Sequence, residues 1–132
     1  MSDNGSMERK IKIIAGTIAA EATLLITPTA DAIWRALPLE STCNLWGDEI
    51  YFTIPLTLGL ERDARDTVEK GDLGFWPQGP AFCIFFGPTP ISSGNTIRPA
   101  SAVNIFGKIS GDPQVFKQVS PHAPIRVEKA FR

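Results

Sequence analysis

The segment EIYFT at residues 49–53 carries the side chains best suited to chemistry in this sequence. Its apolar and polar residues alternate, and in an extended strand such alternation places Glu49, Tyr51 and Thr53 on one face. A carboxylate and a phenol on one face can supply a general acid or base, or can anchor a ligand through hydrogen bonds. They can equally form the ordinary polar face of a half-buried strand, and the sequence leaves both interpretations open.

Large aromatic residues beside turns are the second group of interest. Trp46 and Trp76 each stand next to glycine or proline residues, where chain reversals end strands. Their indoles predict either the walls of a binding pocket or the closure of a hydrophobic core. Phe85 and Phe86 face opposite ways if their segment is a strand, so one of the two belongs to the core.

Arg98 follows a polar loop and precedes a proline, where its guanidinium could clamp a carboxylate ligand or pair with Glu49. Ser101 is a possible nucleophile only if a base lies beside it. His122, the single histidine of the chain, stands in a proline-rich loop without the context of a nucleophile elbow. We therefore expect a hydrogen-bonding role for Ser101 and no serine hydrolase triad.

Metal and nucleotide sites have little support. Asp48, Glu49 and Asp72 could collect a hard cation such as magnesium, but their spacing matches no known metal-binding loop. One histidine and two cysteines are too few for a structural zinc site. The chain has neither a glycine-rich phosphate loop nor a dinucleotide-binding fingerprint. We expect no metal and no cofactor.

Composition bounds the class of protein. Thirteen basic and fourteen acidic residues give a formal net charge of -1, without the basic excess that nucleic acids or anionic membranes attract. No apolar run approaches the ~20 residues of a membrane span. Neither kind of partner is therefore expected. Cys43 and Cys83 lie in apolar stretches, which is typical of reduced, buried thiols in a cytoplasmic protein.

The elements that must position these residues can be predicted from periodicity and turn signals. Residues 1–8 suggest a disordered leader or a remnant of cloning, and residues 9–132 a single domain. Alternation predicts an opening hairpin from Arg9, followed by a short helix that Thr29 caps and Pro38 ends. Further strands are predicted within 41–55, 72–76, 81–86, 102–109 and 125–130, and a second short helix at 113–119. The charged segment 60–71 is ambiguous.

These elements indicate a mainly β fold. Roughly eight strands with two short helices fit a closed eight-stranded β-barrel whose ends the helices cap, because side chains just fill a barrel of that size. The run at 81–86 is apolar on both faces, as a central strand would be. An open sandwich is the structural alternative.

The chain also resembles a known family along nearly its whole length after the leader. The segments that carry the resemblance are WGDEIYF at 46–52, GDLGFWP at 71–77, FFGPTP at 85–90, PASAVN at 99–104 and VNIFGKI at 103–109. They resemble a small prokaryotic family of cyclophilin-like proteins of unknown function. The resemblance implies the cyclophilin β-barrel with capping helices.

The resemblance does not extend to the residues of the isomerase. Cyclophilins use an arginine, a glutamine and an apolar proline pocket, whereas alignment of the segments puts Ala81 at the glutamine, Cys83 at a pocket phenylalanine and Val103 at a histidine. Glu49 and Tyr51 stand on the strand that should bring the arginine. We expect no conventional prolyl isomerase activity, since placed groups must lower a rotation barrier of ~20 kcal/mol.

The leading hypothesis is therefore a small-ligand or peptide-binding module, and the sequence leaves open whether it forms a homo-oligomer. Its candidate ligand-binding residues are Trp46, Glu49, Tyr51, Trp76, Cys83, Phe85 and Arg98. The alternative is a divergent enzyme, either a hydrolase or a peptidyl-prolyl isomerase, that uses the same groove with Glu49 as general base. A third hypothesis is a structural role by self-association through strand edges and the apolar segment 54–56.

Overall fold

The computed structural model describes residues 8–130, so the predicted leader lies outside the described residues except for Glu8. The strands, in chain order, are β1 Lys10–Ala15, β2 Ile18–Leu24, β3 Leu39–Thr42, β4 Asn44–Leu45, β5 Glu49–Thr53, β6 Asp72–Trp76, β7 Ala81–Phe85, β8 Asn104–Ile109 and β9 Pro124–Ala130. An α-helix, α1 at Pro28–Ala36, lies between β2 and β3, and a 3₁₀ helix at Pro113–Gln118 lies between β8 and β9. The mainly β fold with two short helices is confirmed.

The nine strands form one antiparallel sheet in the order β3-β9-β1-β2-β8-β6-β7-β5-β4. The edge strands β3 and β4 are consecutive in the chain, with only Cys43 between them. Because one residue links the two edges, the sheet must curl until they meet, which gives a nearly closed barrel. The predicted barrel is confirmed and the sandwich is excluded. The structure has nine strands instead of eight because β4, with two residues, is too short to show a periodicity.

Two apolar clusters lie on opposite faces of strand β7. Phe82 and Ile84 point into the barrel core, where the Phe82 ring stacks on Phe52 with centroids 4.9 Å apart. Ala81, Cys83 and Phe85 belong to a second, smaller cluster on the outer face. The run that was predicted to be buried on both faces is therefore buried between these two clusters. We call the second one the outer cluster; its buried members are Val68, Ala81, Cys83, Phe85, Ile97 and Val103.

Helix α1 begins two residues earlier than the sequence predicted. Thr27, and not Thr29, is its N-cap, and the Thr27 hydroxyl accepts a 3.0 Å hydrogen bond from the backbone N–H of Ala30. Pro28 occupies the first turn, where its missing N–H costs nothing, and so the residue before it becomes the cap. Thr29 is buried instead, and its hydroxyl hydrogen-bonds to the carboxylate of Glu61 and to the amide of Asn104.

The ambiguous segment 60–71 forms no regular strand. It runs along the outer face of the barrel and makes single antiparallel bridges, Arg65 with Val103 and Val68 with Ile97. The backbone N–H of Glu61 donates to the side chain of buried Asn104 at 2.8 Å. These contacts tie the segment to β8 and to the residues just before it.

Several features bear on exposure and association. In the part of the chain from 8 to 130, no helix has the length and apolar character that a bilayer crossing requires. Cys43 and Cys83 are buried and carry free thiols. Ile54 is a core residue and Leu56 packs partly against the core, so Pro55 is the exposed residue of the segment 54–56 that the self-association hypothesis invoked. Among the residues described, the exposed large apolar ones are Leu25, Ile26, Leu60 and Ile91.

Candidate functional site

A cavity of about 160 Å³ opens on the outer face of the sheet, next to the outer cluster. We call it the aromatic cavity. Its lining residues are Trp46, Glu49, Tyr51, Trp76, Cys83, Pro99, Ala100 and Val103. Five of the seven candidate residues predicted from the sequence are therefore brought together at one site.

Strand register explains how these side chains converge. In the pairing of β5 with β7, Tyr51 lies opposite Cys83, and Glu49 lies opposite Phe85. In the pairing of β6 with β7, Gly74 lies opposite Cys83. Residues two apart on a strand share a face, so Glu49 and Tyr51 both reach the outer face beside Cys83. Of the three residues predicted to share a face, Glu49 and Tyr51 therefore line the cavity and Thr53 does not.

Trp46 is held at one end of the cavity by a tight turn. The backbone N–H of Trp46 donates to the carbonyl of Glu49 at 2.9 Å, and the N–H of Glu49 donates back to Trp46 at 3.2 Å. Gly47 adopts a φ of +60°, and a Cβ there would lie 2.9 Å from the carbonyl oxygen of Pro88. Only glycine fits a turn with that dihedral angle and that neighbour. The turn thereby fixes where the indole of Trp46 stands.

Trp76 is held by a short chain of hydrogen bonds. Its indole N–H donates to the hydroxyl of Ser101 at 2.6 Å, and that hydroxyl donates in turn to the side-chain oxygen of Gln78 at 2.7 Å. The Ser101 hydroxyl thus donates its proton to Gln78 and accepts a hydrogen bond from Trp76. Neither of these partners is a base that could deprotonate it. The hydrogen-bonding role expected for Ser101 matches this arrangement, in which it positions an indole.

Glu49 is the carboxyl group of the cavity, and it is nearly buried. Only 5% of the residue is exposed, although it is the first residue of β5 and borders the cavity. Burial raises the pKa of Glu49 from 4.5 to about 7, while a hydrogen bond with the thiol of Cys83 acts in the opposite direction. A carboxyl group with such a pKa is about half ionised near neutral pH, whereas an ordinary surface glutamate is fully ionised there.

Cys83 is not activated as a nucleophile. Burial raises the pKa of its thiol well above the usual value, and the nearby charge of Glu49 adds to the effect. The thiolate is the reactive form of cysteine, so a thiol held protonated is chemically inert at neutral pH. Cys83 therefore contributes a small apolar surface and a weak hydrogen bond to the cavity.

Two candidate residues lie outside the lining of the aromatic cavity. Phe85 is fully buried in the outer cluster behind it. Arg98 is exposed, and among the ion pairs of residues 8–130 it makes none with Glu49. Its backbone is engaged instead: the N–H donates to Ser92 and the carbonyl accepts from Thr89. The predicted pairing of Arg98 with Glu49 is thus not present.

The other polar residues considered from the sequence do not converge. Asp72 forms an ion pair with Lys108, with 3.2 Å between the carboxylate oxygen and Nζ. Within residues 8–130, no three histidine, cysteine, aspartate or glutamate side chains are grouped to hold a metal ion. His122 is exposed in the turn before β9, and its backbone N–H donates to the carbonyl of Cys43.

Sequence reasoning missed Pro99 and Ala100 as lining residues. Both are chemically featureless, so no residue type or spacing could have singled them out. Val103 was noted only because the resemblance places it where cyclophilins have a histidine. Glu49, Tyr51, Cys83 and Val103, four positions that the resemblance connects with the isomerase site, all line the aromatic cavity.

Comparisons with known proteins agree with this architecture. A family model described as cyclophilin-like matches residues 9–128. The chain is similar to the solution structure of the hypothetical protein AF2241 from Archaeoglobus fulgidus, with 41% sequence identity and a TM-score of 0.80 over 98% of this chain and 100% of that one. The search of curated proteins finds no match. The family model covers nearly all of the barrel, and the chain therefore belongs to the cyclophilin-like family.

Proposed function

We propose that this protein is a binding module for a small ligand, or for one side chain of a short peptide, and that the aromatic cavity is its site. The observation that carries this proposal is a nearly buried carboxyl group, Glu49, bordering an open cavity whose other walls are largely aromatic and apolar. Ligand sites in proteins share this composition, a mostly apolar hollow with few polar groups that fix orientation.

The size of the cavity sets the size of the group that enters it. An engineered cavity of about 150 Å³ holds one benzene molecule. At about 160 Å³, the aromatic cavity accommodates one ring or a short branched chain. A larger ligand would leave its remainder outside, next to Ala100, the exposed residue of the lining.

Loss of binding on filling the cavity tests the proposal. We expect benzyl alcohol to change the fluorescence of Trp46 and Trp76 saturably, because both indoles line the site. The variant Ala100→Phe places a ring in the cavity from its exposed side and should abolish the change. The variant Ala19→Phe adds the same ring at an exposed position of β2, outside the lining, and should bind as the native protein does.

Two outcomes would contradict the proposal. One is the absence of saturable binding by neutral, cationic and anionic single-ring probes alike, measured by fluorescence and by calorimetry. The other is undiminished binding in Ala100→Phe, which would place the probe elsewhere on the protein.

A second candidate function is catalysis with Glu49 as general base or acid. It is favoured by the pKa of about 7, which suits proton transfer at neutral pH, and by the position of the carboxyl in a concavity. The lining has no arginine and no glutamine, so conventional prolyl isomerisation is not part of this candidate. Loss of any turnover of hydrolysable or proline-containing peptides in Glu49→Gln would support it, and equal turnover in both proteins would refute it.

A further inference from the structure

Among the residues that the structure describes, 8–130, none forms an ion pair with the carboxylate of Glu49. Of the cavity's lining residues none is a lysine, an arginine or a histidine. The ion pairs found in residues 8–130 use other carboxylates, namely Glu8, Asp31, Glu40, Glu69, Asp72 and Glu128. An ionised carboxylate with 5% exposure and no cationic partner is costly, because burial removes its hydration without replacing it by another charge.

The aromatic walls add a second preference. Trp46, Tyr51 and Trp76 surround the same space, and each ring carries negative partial charge on its faces. Cations are attracted to such faces, most strongly to indole, and the attraction grows where water is excluded. The carboxylate and the aromatic rings thus favour the same sign of charge in the cavity.

We propose, on the basis of the binding function above, that the natural ligand carries a protonated nitrogen on a ring-sized apolar body, and that this nitrogen pairs with Glu49. An alkylammonium or an amidinium group has the required chemistry. It donates charge-assisted hydrogen bonds to the carboxylate while its apolar body fills the space between the rings. A carboxylate ligand would instead bring a second negative charge beside Glu49.

Proton linkage gives this inference a measurable signature. A bound cation stabilises the ionised form of Glu49, so it lowers the raised pKa of that group and expels its proton. The other ionisable groups that line the cavity are Tyr51 on β5 and Cys83 on β7, while β6 and the segment 99–103 contribute none. Affinity for a cation should therefore rise as the pH increases through about 7 and level off above it.

Three matched probes separate the classes of ligand: benzylamine, which stays protonated over this range, benzyl alcohol and benzoate. At about pH 8 we expect benzylammonium to bind roughly tenfold or more tightly than benzyl alcohol, and benzoate to bind most weakly. Calorimetry at about pH 7 in two buffers of different ionisation enthalpy should show proton release with benzylammonium only. The variant Glu49→Gln should lose most of the preference for benzylammonium over benzyl alcohol and retain only the smaller part that the aromatic faces supply.

The outcomes distinguish this inference from the function on which it rests. Equal binding of the alcohol and the amine, tighter binding of benzoate, or a preference for the amine that is undiminished in Glu49→Gln would overturn the inference and leave the binding site in place. Failure of all three probes to bind would overturn both proposals. Should Glu49→Gln fail to fold, the pH dependence of benzylammonium affinity in the native protein decides: a flat profile refutes the inference.

Discussion

At the scale of single residues, the aromatic cavity depends on side chains that are held by neighbours outside it. Ser101 does not line the cavity, yet its hydroxyl accepts the indole N–H of Trp76 and donates to Gln78. An indole fixed in this way presents the same face to a ligand at all times, which reduces the entropy lost on binding. Ser101 is thus a positioning residue.

Removal of the Ser101 hydroxyl should therefore release Trp76. In Ser101→Ala we expect the indole N–H of Trp76 to exchange faster with solvent hydrogen. The free energy of unfolding should fall by about 1 kcal/mol, since the hydroxyl loses its hydrogen bonds to half-buried Trp76 and to exposed Gln78. NMR exchange of the indole resonance and urea unfolding measure the two effects. Ser101→Thr keeps the hydroxyl and should restore both, whereas unchanged exchange in the alanine variant would contradict the positioning role.

The sequence predicts the chemistry of this site better than its extent. Glu49 and Tyr51 were identifiable because a carboxylate and a phenol alternate with apolar residues on one strand. The cavity beside Glu49 was not identifiable, because part of its wall comes from a segment some fifty residues further along the chain, at 99–103. Arg98 illustrates the opposite error. Its guanidinium suggested a role in ligand binding, whereas the hydrogen bonds that it makes in the loop come from its backbone N–H and carbonyl.

At the scale of elements, the cavity is bounded by the close approach of β6 and the residue before β8. The register of β6 against β8 shifts between Leu73 and Gly74. At Gly74 the side chain of Val103, which lines the cavity, comes so close that an added Cβ would lie 2.9 Å from Val103 Cγ2 and 3.3 Å from a ring carbon of Phe85. The absence of a side chain at Gly74 therefore allows Val103 to pack this closely against β6.

A methyl group at Gly74 should force Val103 towards the cavity. We expect Gly74→Ala to lower the free energy of unfolding by about 1–3 kcal/mol through overpacking, and to weaken the binding of benzyl alcohol because the cavity becomes smaller. Thermal unfolding and calorimetric titration measure these changes. Gly59→Ala is the matched control, because nothing lies within 4 Å of a Cβ there.

A second substitution tests the mechanism of this effect. Val103→Ala removes the Cγ2 methyl group, the atom that a Cβ added at Gly74 would approach most closely. In the double variant, Gly74→Ala should cost less stability than it costs alone, since neighbours in contact do not act additively. Full additivity of the two substitutions would show that the clash with Val103 is not what destabilises Gly74→Ala.

Regular elements were predictable where periodicity is long, and irregular ones were not. The strands and the 3₁₀ helix lie close to their predicted positions, because alternation and a proline in the first turn are local signals. The segment between β7 and β8 is shaped instead by side chains that bond to backbone groups: the Ser92 hydroxyl accepts from the N–H groups of Thr89 and Arg98. Many sequences can fold such a loop, so its path cannot be predicted from residue types.

At the scale of the whole molecule, closure of the barrel leaves one face of β5, β6 and β7 outside the core. The core takes Phe52 and Ile84 from these strands, and the segments 65–68 and 97–103 partly cover the opposite face. A cavity forms where that cover is incomplete. The barrel was predictable from the number of strands. The segments that cover the outer face and so form the cavity were not predictable, because the path of these loops between strands is not encoded in a local sequence pattern.

The buried carboxyl that this arrangement produces should also be visible in global stability. Folding raises the pKa of Glu49 from 4.5 to about 7, so the folded protein retains this proton at pH values where the unfolded chain has lost it. Between these two values the folded state binds more protons than the unfolded state. The free energy of unfolding should therefore fall as the pH rises from 4.5 to about 7, and this contribution should be constant above that range.

The difference between the native protein and Glu49→Gln isolates this contribution, because the other titrating groups are common to both proteins. At about 1.4 kcal/mol per pKa unit, the stability of the native protein relative to the variant should decrease by on the order of 3 kcal/mol between pH 4.5 and pH 8. Urea unfolding of both proteins at a series of pH values measures it. A relative stability that stays constant, or that increases with pH, would mean that Glu49 is hydrated or paired in the folded state. Saturating benzylammonium, by contrast, should stabilise the native protein most at the alkaline end of the series, where the buried carboxylate lacks a counter-ion and the added cation supplies one.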